Sequence, residues 1–440
     1  MCTKDNLVKY QPNKSLSKRL RLNTISYGYT QVVTIAAQLL LVPFFLKYWG
    51  TDRYADWLVL TGIPTLLTLL DMGVSQASAN KATALAGGGD IHGARQSMQT
   101  ALAFSLSICF TILLVSLTIT PLVDWSSLLN LKTLTTSEST HIIIIMCLYL
   151  CTSILGGPLD GWYRTIDRTA TGAFLLANRR MADIMISIIV LIFDGSPTNL
   201  ATALLSTQVI ALLVLSLIAH KLSPWPVLGL KSASLQEFKK IYKPALAYAS
   251  FPLAQLVTLQ GGLQILNQVA PPQLVVGYVM ARTLMRMIIQ LGVVINNALK
   301  PEISRQAGKG DLHETRKLTN KITRWVLFVC ILAYATLIFI GPYFITLWGH
   351  GKVQVGRLEL FTIGLHTIVN VAWFIPAALL IATNKHARLA GVYSASSLLS
   401  IIIWISCSKS IDPIAGAAMT LTIPELATAM YYYISTRKTT

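Results

Sequence analysis

Long apolar segments alternate with short polar ones along the whole chain, without the every-second-residue alternation of a barrel strand. Each segment is close to the roughly 20 residues that a helix needs to cross a bilayer. Backbone groups in lipid must be bonded internally, which favours helices for such runs. The pattern predicts about twelve spans, at residues 25–48, 55–78, 97–121, 141–163, 169–193, 199–219, 245–268, 273–298, 325–348, 359–383, 389–408 and 413–434.

Composition and charge place these spans in a membrane with a defined orientation. The 440 residues are 53% hydrophobic and 12% charged, with a net charge of +18. On a soluble chain this charge would suggest nucleic acid, but here the basic residues lie between apolar runs and face lipid headgroups. With a cytoplasmic N-terminus, 26 Lys and Arg fall inside and 6 outside. The positive-inside rule therefore predicts that both termini are cytoplasmic.

A short motif occurs twice, half a chain length apart. Residues 86–95 read AGGGDIHGAR and residues 307–316 read AGKGDLHETR, at an offset of 221 that also carries Pro121 onto Pro342. Six spans in each half give both halves the same orientation, so we expect an all-α protein of two six-helix lobes related by a pseudo-twofold axis along the membrane normal. Such duplication is typical of transporters, although it could also serve only to build a stable bundle.

The repeat and the spans divide the chain into five parts. These are a basic cytoplasmic tail at 1–24, an N-terminal lobe at 25–220, a cytoplasmic linker at 221–244, a C-terminal lobe at 245–434 and a second tail at 435–440.

Four arginines lie inside predicted spans. Arg282 and Arg286 are near mid-bilayer, where each costs about 2.5–3.5 kcal/mol on the insertion scale. Gln290 and Asn297 share their helix face. The opposite face is predicted to contact lipid and carries Leu284, Ile288, Leu291 and Ile295. The two arginines either bind an anionic group in a central cavity or pair with a carboxylate.

The fifth span carries the other two arginines. A helix starting after Arg180 would be too short to cross, so Arg179 and Arg180 must enter the cytoplasmic half of the membrane. Asp183 is the i,i+4 partner of Arg179 and could neutralise it. Lining a cavity and snorkelling to the interface remain equally open for the pair.

One-sided polar stripes mark further spans as candidate cavity walls. Span 1 contributes Gln31 and Gln38, span 2 contributes Asp71, and span 10 contributes Glu359 and His366. Polar residues at this spacing also hold helices together, which is the structural alternative. No phosphate-binding G-x-x-x-x-G-K-[ST], H-E-x-x-H or D-x-D motif occurs, so the sequence predicts a transporter without ATPase chemistry, cofactor or metal.

Residues 42–77 resemble the first two spans of the Wzx-type O-antigen and polysaccharide flippases, within the multidrug/oligosaccharidyl-lipid/polysaccharide exporter superfamily. The resemblance rests on Pro43, on Gly50 and Tyr54 in the outer turn, and on the acidic-x-Gly sequence Asp71-Met72-Gly73. It implies movement of an undecaprenyl-diphosphate-linked oligosaccharide to the periplasmic leaflet through a cationic lumen. It also implies a polysaccharide polymerase and a chain-length regulator as candidate partners besides the membrane lipids.

The resemblance further implies coupling to protons or cations, for which Asp71, Asp183, His366 and Glu359 are the candidates. Two alternatives are a MATE-like drug/cation antiporter or other secondary permease, and a membrane-embedded enzyme or scaffold of the glycan pathway. The loop GGGDIHGARQ lacks the Arg that major-facilitator permeases tend to carry there, which argues against that class.

Overall fold

The computed structural model describes residues 16–67, 69–129, 131–225, 229–310, 313–348 and 353–437. These residues form α-helices, a 3₁₀ turn at Thr120–Leu122 and a π-helical turn at Val257–Gly261, and no strand occurs in this part of the chain. By internal contacts the chain divides into unit 1, Met1–Ala245, and unit 2, Leu246–Thr440. The all-α fold in two lobes that the sequence predicts is confirmed.

Unit 1 accounts for the first six predicted spans. The first two spans are covered by α1 and α2, because α1 runs through both sides of a sharp bend at Gly50. The helices are α1 Leu16–Leu67, α2 Leu69–Gly87, α3 Ile91–Ile119, α4 Trp125–Leu128, α5 Thr136–Thr165, α6 Thr169–Ile192 and α7 Pro197–Leu222, followed by the start of α8 Leu235–Leu256.

Unit 2 contains the remaining spans. The π-helical turn joins the end of α8 to α9 within one span, and α12 and α13 together form another. The helices after α8 are α9 Gly262–Val269, α10 Pro272–Gly308, α11 His313–Trp348, α12 Arg357–Phe374, α13 Ala378–Ala382, α14 Ala387–Cys407 and α15 Pro413–Arg437. Six of the described helices are long and apolar enough to cross a membrane, and the protein is a multi-pass membrane protein.

The repeated motif forms a turn with the same backbone conformation in each unit. Gly89, between α2 and α3, has φ +92°, and its counterpart Gly310, between α10 and α11, has φ +78°. Glycine adopts this left-handed conformation without steric cost. In unit 1 the next residue, Asp90, caps α3 by accepting a hydrogen bond from the Gly93 amide at 2.8 Å. The corresponding residues 311–312 lie outside the described part of the chain.

The start of α8 is attached to unit 1 by polar contacts. The amide of Ser232 donates to Gln99 Oε1 at 2.9 Å, and the amide of Ser234 donates to the Thr100 hydroxyl at 3.1 Å. On α8 itself, the buried Glu237 pairs with Lys81 Nζ at 2.6 Å. Much of the predicted linker is therefore an ordered, mostly helical part of unit 1 up to Ala245.

One buried carboxylate organises a loop of unit 1. Asp56 is 4% exposed and accepts hydrogen bonds from the Lys132 amide at 3.1 Å and from the amide and hydroxyl of Thr133, both at 2.7 Å. These bonds satisfy backbone donors that no helix pairs, between α4 and α5. Asp56 therefore fixes this loop against α1.

Replacing Asp56 by Ala should lower the stability of unit 1, because it leaves these donors without their acceptor. A lost bond to a charged group in a buried site costs about 1–3 kcal/mol. Thermal unfolding in detergent, followed by tryptophan fluorescence, should show a lower Tm than for the wild type. The control is Asp52→Ala, which removes an exposed ion pair to Lys132 and should change the Tm little. Equal effects of the two substitutions would contradict this role for Asp56.

Candidate functional site

Each unit holds a buried or half-buried group of charged side chains inside its helices. In unit 1, Asp183 on α6 faces two hydroxyl groups from neighbouring helices. Its Oδ1 accepts from Thr207 on α7 at 2.8 Å, and its Oδ2 accepts from Tyr149 on α5 at 3.3 Å. The Thr207 hydroxyl also lies 2.8 Å from the Leu204 carbonyl, so its single proton has two alternative acceptors.

A cavity of about 250 Å³ lies beside this carboxylate group, between α5, α6 and α7. Its walls are mainly apolar, with Arg179, Asp160 and Gln208 as the charged or amide-bearing members. Arg179 Nη1 donates to Gln208 Oε1, while its buried Nε has no hydrogen-bond partner among the described residues. Asp160 is already paired with Arg164 at 3.2 Å. Arg179 therefore places a cationic side chain in the mainly apolar wall of the cavity.

The two arginines of α6 have different environments. Arg179 lines the cavity, whereas the exposed Arg180 donates to the Thr34 hydroxyl on α1 at 2.8 Å. The ion pair that sequence spacing allows between Arg179 and Asp183 is replaced by separate hydrogen bonds, to Gln208 and to the two hydroxyls. Both arginines remain close enough to Asp183 to act on its charge. Arg179 and Asp183 therefore bond to residues on α5 and α7 and not to each other. The spacing of residues along one helix cannot predict such partners.

In unit 2, the two arginines of α10 also differ. Arg282 Nη1 donates to the carbonyl of Leu259 at 3.0 Å, within the π-helical turn, and its guanidinium lies 5.5 Å from the Tyr278 ring centre. A π-helical turn shifts the backbone bonding pattern, and Arg282 bonds to a carbonyl in it. Arg286 is half-buried and has no hydrogen bond or ion pair within the described ranges. Among the described residues, neither arginine has the carboxylate partner that the structural alternative required.

The face of α10 opposite the arginines is packed against protein at its centre. Leu284 and Ile288, predicted to face lipid, are only 5% and 2% exposed, and the Ile288 carbonyl lies 3.9 Å from Cys330 Sγ on α11. Leu291 is 45% exposed and agrees with the prediction. Hydrophobic periodicity identifies an apolar face but does not distinguish lipid from another apolar helix, so the prediction was wrong for Leu284 and Ile288.

One buried acid of unit 2, on its last helix, was missed by the sequence analysis. Glu425 on α15 is 3% exposed, and its Oε2 accepts from Asn370 Nδ2 at 3.0 Å and from Trp373 Nε1 at 2.7 Å. Its Oε1 accepts from the Tyr393 hydroxyl at 3.3 Å. A lone carboxylate within an apolar span was the signal that could have identified it. The polar stripe of span 10, which contains Asn370 and Trp373, is the wall of this group.

The other predicted residues lie at several places. His366 is buried in unit 2, with Nδ1 2.6 Å from the Ile363 carbonyl. Glu359 caps α12 by accepting from the Gly356 amide at 2.7 Å, and it borders a cavity of about 410 Å³. Half-buried side chains with no role assigned by these contacts are Gln31, Gln290 and Asn297. The side chains of Gln38 and Asp71 lie outside the described residues.

No protein-family model and no curated protein matches the sequence, but solved structures match it closely in fold. The crystal structure of a mutant MATE transporter aligns with a TM-score of 0.83 at 12% identity, covering 99% of this chain and 98% of that one.

The chain has the fold of MATE transporters.

Two further matches come from named organisms. The Vibrio cholerae MATE transporter VcmN aligns at a TM-score of 0.80 and 15% identity, over 96% of this chain and 97% of that one. A MOP superfamily transporter from Pyrococcus furiosus aligns at 0.79 and 12% identity, over 100% and 98% of the two chains. The latter is described as having a binding pocket of reverse polarity that suggests a different function.

The resemblance to Wzx-type flippases was wrong, because these neighbours are MATE transporters. The motif in the first two spans depends on the backbone turn that these residues form and not on the substrate. Gly50 has φ +73°, which favours glycine whatever the protein carries, and Tyr54 stacks on Phe45 with ring centres 4.8 Å apart. Residues that shape a turn are shared by proteins with different substrates, so they did not distinguish the two families.

Replacing Arg282 by Gln should destabilise unit 2, whereas Arg286→Gln should not. Arg282 holds the Leu259 carbonyl, and an interhelical hydrogen bond in a membrane protein is worth about 0.6–2 kcal/mol. Thermal unfolding in detergent should show a lower Tm for Arg282→Gln only. The two substitutions remove the same charge from neighbouring turns of one helix, so equal Tm changes would show that the Leu259 bond does not stabilise the unit.

Proposed function

We propose that this protein is a MATE-type secondary transporter of the bacterial inner membrane that exchanges protons for a small amphipathic organic compound with an acidic or hydrogen-bond-accepting group. The fold supports the transporter class, since it aligns with MATE transporters over nearly the whole chain. The observation that carries the substrate class is the cavity of unit 1, whose mainly apolar walls include the cationic side chain of Arg179.

The chemistry of the cavity defines what would bind there. Ligand sites are mostly apolar, with a few polar groups that fix orientation. Leu175, Leu212 and Leu215 provide the apolar surface, and Arg179 provides a cationic donor that suits a carboxylate or phosphate. A purely cationic substrate would meet Arg179, while Asp160 is already paired with Arg164. The contacts therefore favour an acidic or zwitterionic substrate over a simple organic cation.

Asp183 is the proposed coupling group of unit 1. Its two hydroxyl partners, Thr207 and Tyr149, can donate to the carboxylate or accept from the carboxylic acid, so both protonation states are satisfied. Its charge acts on Arg179, and protonation would therefore change the field in the cavity. This is the property that exchange requires, because a proton can drive transport only if it binds the two conformations differently.

Transport into proteoliposomes tests the substrate class. Under an imposed pH gradient, the purified protein should accumulate an anionic or zwitterionic fluorescent compound faster than a cationic dye of similar size. Arg179→Ala should reduce uptake of the anionic compound by about 10–100-fold, as expected for the loss of a charged hydrogen bond. Arg180→Ala removes the same charge outside the cavity and serves as the control. Preference for the cationic dye would refute the proposed substrate class and indicate a drug/cation antiporter.

Replacing Asp183 by Asn should separate exchange from proton coupling. The amide keeps the size of the side chain but cannot take up a proton, so accumulation driven by a pH gradient should be lost. Exchange of labelled for unlabelled substrate without a gradient should continue, which also shows that the variant folds. Gradient-driven accumulation equal to that of the wild type would remove Asp183 from the coupling mechanism.

A further inference from the structure

The carboxylate group of unit 2 has a donor arrangement that fits two protonation states. Glu425 Oε2 receives the N–H groups of Asn370 and Trp373, at 3.0 and 2.7 Å. The indole N–H only donates, so this oxygen remains an acceptor. Among the described residues, Oε1 is bonded only to the Tyr393 hydroxyl, at 3.3 Å, and a hydroxyl can donate or accept. A proton can therefore bind at Oε1 if the Tyr393 hydroxyl rotates. The N–H groups of Asn370 and Trp373 keep Oε2 as their acceptor.

The surroundings supply little to stabilise the charged form. Glu425, Trp373 and Tyr393 are 3%, 2% and 6% exposed, and within the described part of the chain no basic side chain forms an ion pair with Glu425. Burying an unpaired carboxylate costs several kcal/mol unless hydrogen bonds compensate. The group also holds a spare acceptor, since Asn370 Oδ1 is buried and has no partner among the described residues.

The charged and titratable groups around Glu425 come from three neighbouring helices. Tyr393 on α14 contacts it directly, and His366 on α12 lies further along the helix that carries Asn370 and Trp373. Arg286 on α10 acts electrostatically on Tyr393 and on His366. The π-helical turn and α9, which also pack on α15, contain no titratable residue between Val257 and Val269. Tyr393 is therefore the titratable side chain in direct contact with Glu425.

We infer that Glu425 is a proton-binding site of unit 2, in which uptake of one proton at Oε1 reverses the Tyr393 hydrogen bond. The proton comes from water and forms an O–H bond on Glu425, which then donates to the Tyr393 oxygen. The Tyr393 hydroxyl proton turns away from the carboxyl group. Its role in coupling rests on the proposed function, but proton binding itself can be measured without transport.

Infrared difference spectroscopy of the full-length protein in lipid bilayers tests proton binding directly. Lowering the pH should produce a carboxylic acid C=O band that is absent from Glu425→Gln. In Tyr393→Phe the band should persist at a shifted frequency, because the carboxyl group has lost one partner. Asp183→Asn is the matched control and should retain the Glu425 band. A spectrum of Glu425→Gln identical to that of the wild type would overturn the inference.

Replacing sodium by choline in the same experiment separates a proton site from a sodium site. The band should depend on pH alone, and a change that follows sodium at constant pH would overturn proton binding. If Glu425→Gln does not fold, the shifted band of Tyr393→Phe provides the decisive measurement, and an unshifted band would contradict the inference.

Failure of the proposed function gives a different result. A wild-type protein that accumulates no anionic or zwitterionic compound but shows the pH-dependent Glu425 band would refute the substrate proposal and leave the proton site intact. Normal transport by a wild-type protein that lacks this band would refute the proton site and leave the substrate proposal intact.

Discussion

The cost of placing charge in hydrocarbon governs which residues can occupy the interior of this protein. An ion at the centre of a bilayer is expensive, and three of the charged groups in these helices obtain compensation from nearby dipoles. Asp183 obtains it from two hydroxyls, and Glu425 from an amide, an indole and a hydroxyl. Arg282 uses a backbone carbonyl that lies in a π-helical turn. The need to compensate buried charge therefore involves both the local backbone conformation and the packing of side chains.

The spans were predictable from the sequence because a helix needs a run of about 20 mainly apolar residues to cross a membrane. The repeat was also predictable, since Gly89 and Gly310 are needed for the same backbone turn. Pairings were not. Arg179 and Asp183 are spaced as an ion pair on one helix, yet Gln208 and Thr207 on α7 provide their hydrogen bonds. A choice between partners on the same helix and partners on another helix depends on packing, which one sequence does not reveal.

Glu425 shows a second limit. Its three partners come from α12 and α14, 32 to 55 positions away in the sequence, so no local pattern marks them as a group. The sequence shows a lone acid in an apolar span, but it does not show which residues surround that acid. The family resemblance failed for a related reason, because Gly50 and Tyr54 describe how the chain turns and say nothing about what is transported.

The attachment of residues 229–245 to unit 1 has a consequence for how the chain is assembled. Ser232, Ser234 and Glu237 all bind to side chains of α2 or α3. Unit 1 therefore lacks part of its own structure until translation has passed the end of α7 and reached α8. A ribosome that pauses before this point would hold an unfinished first half, so the boundary between the units in α8 also sets the earliest moment at which the first half can be complete.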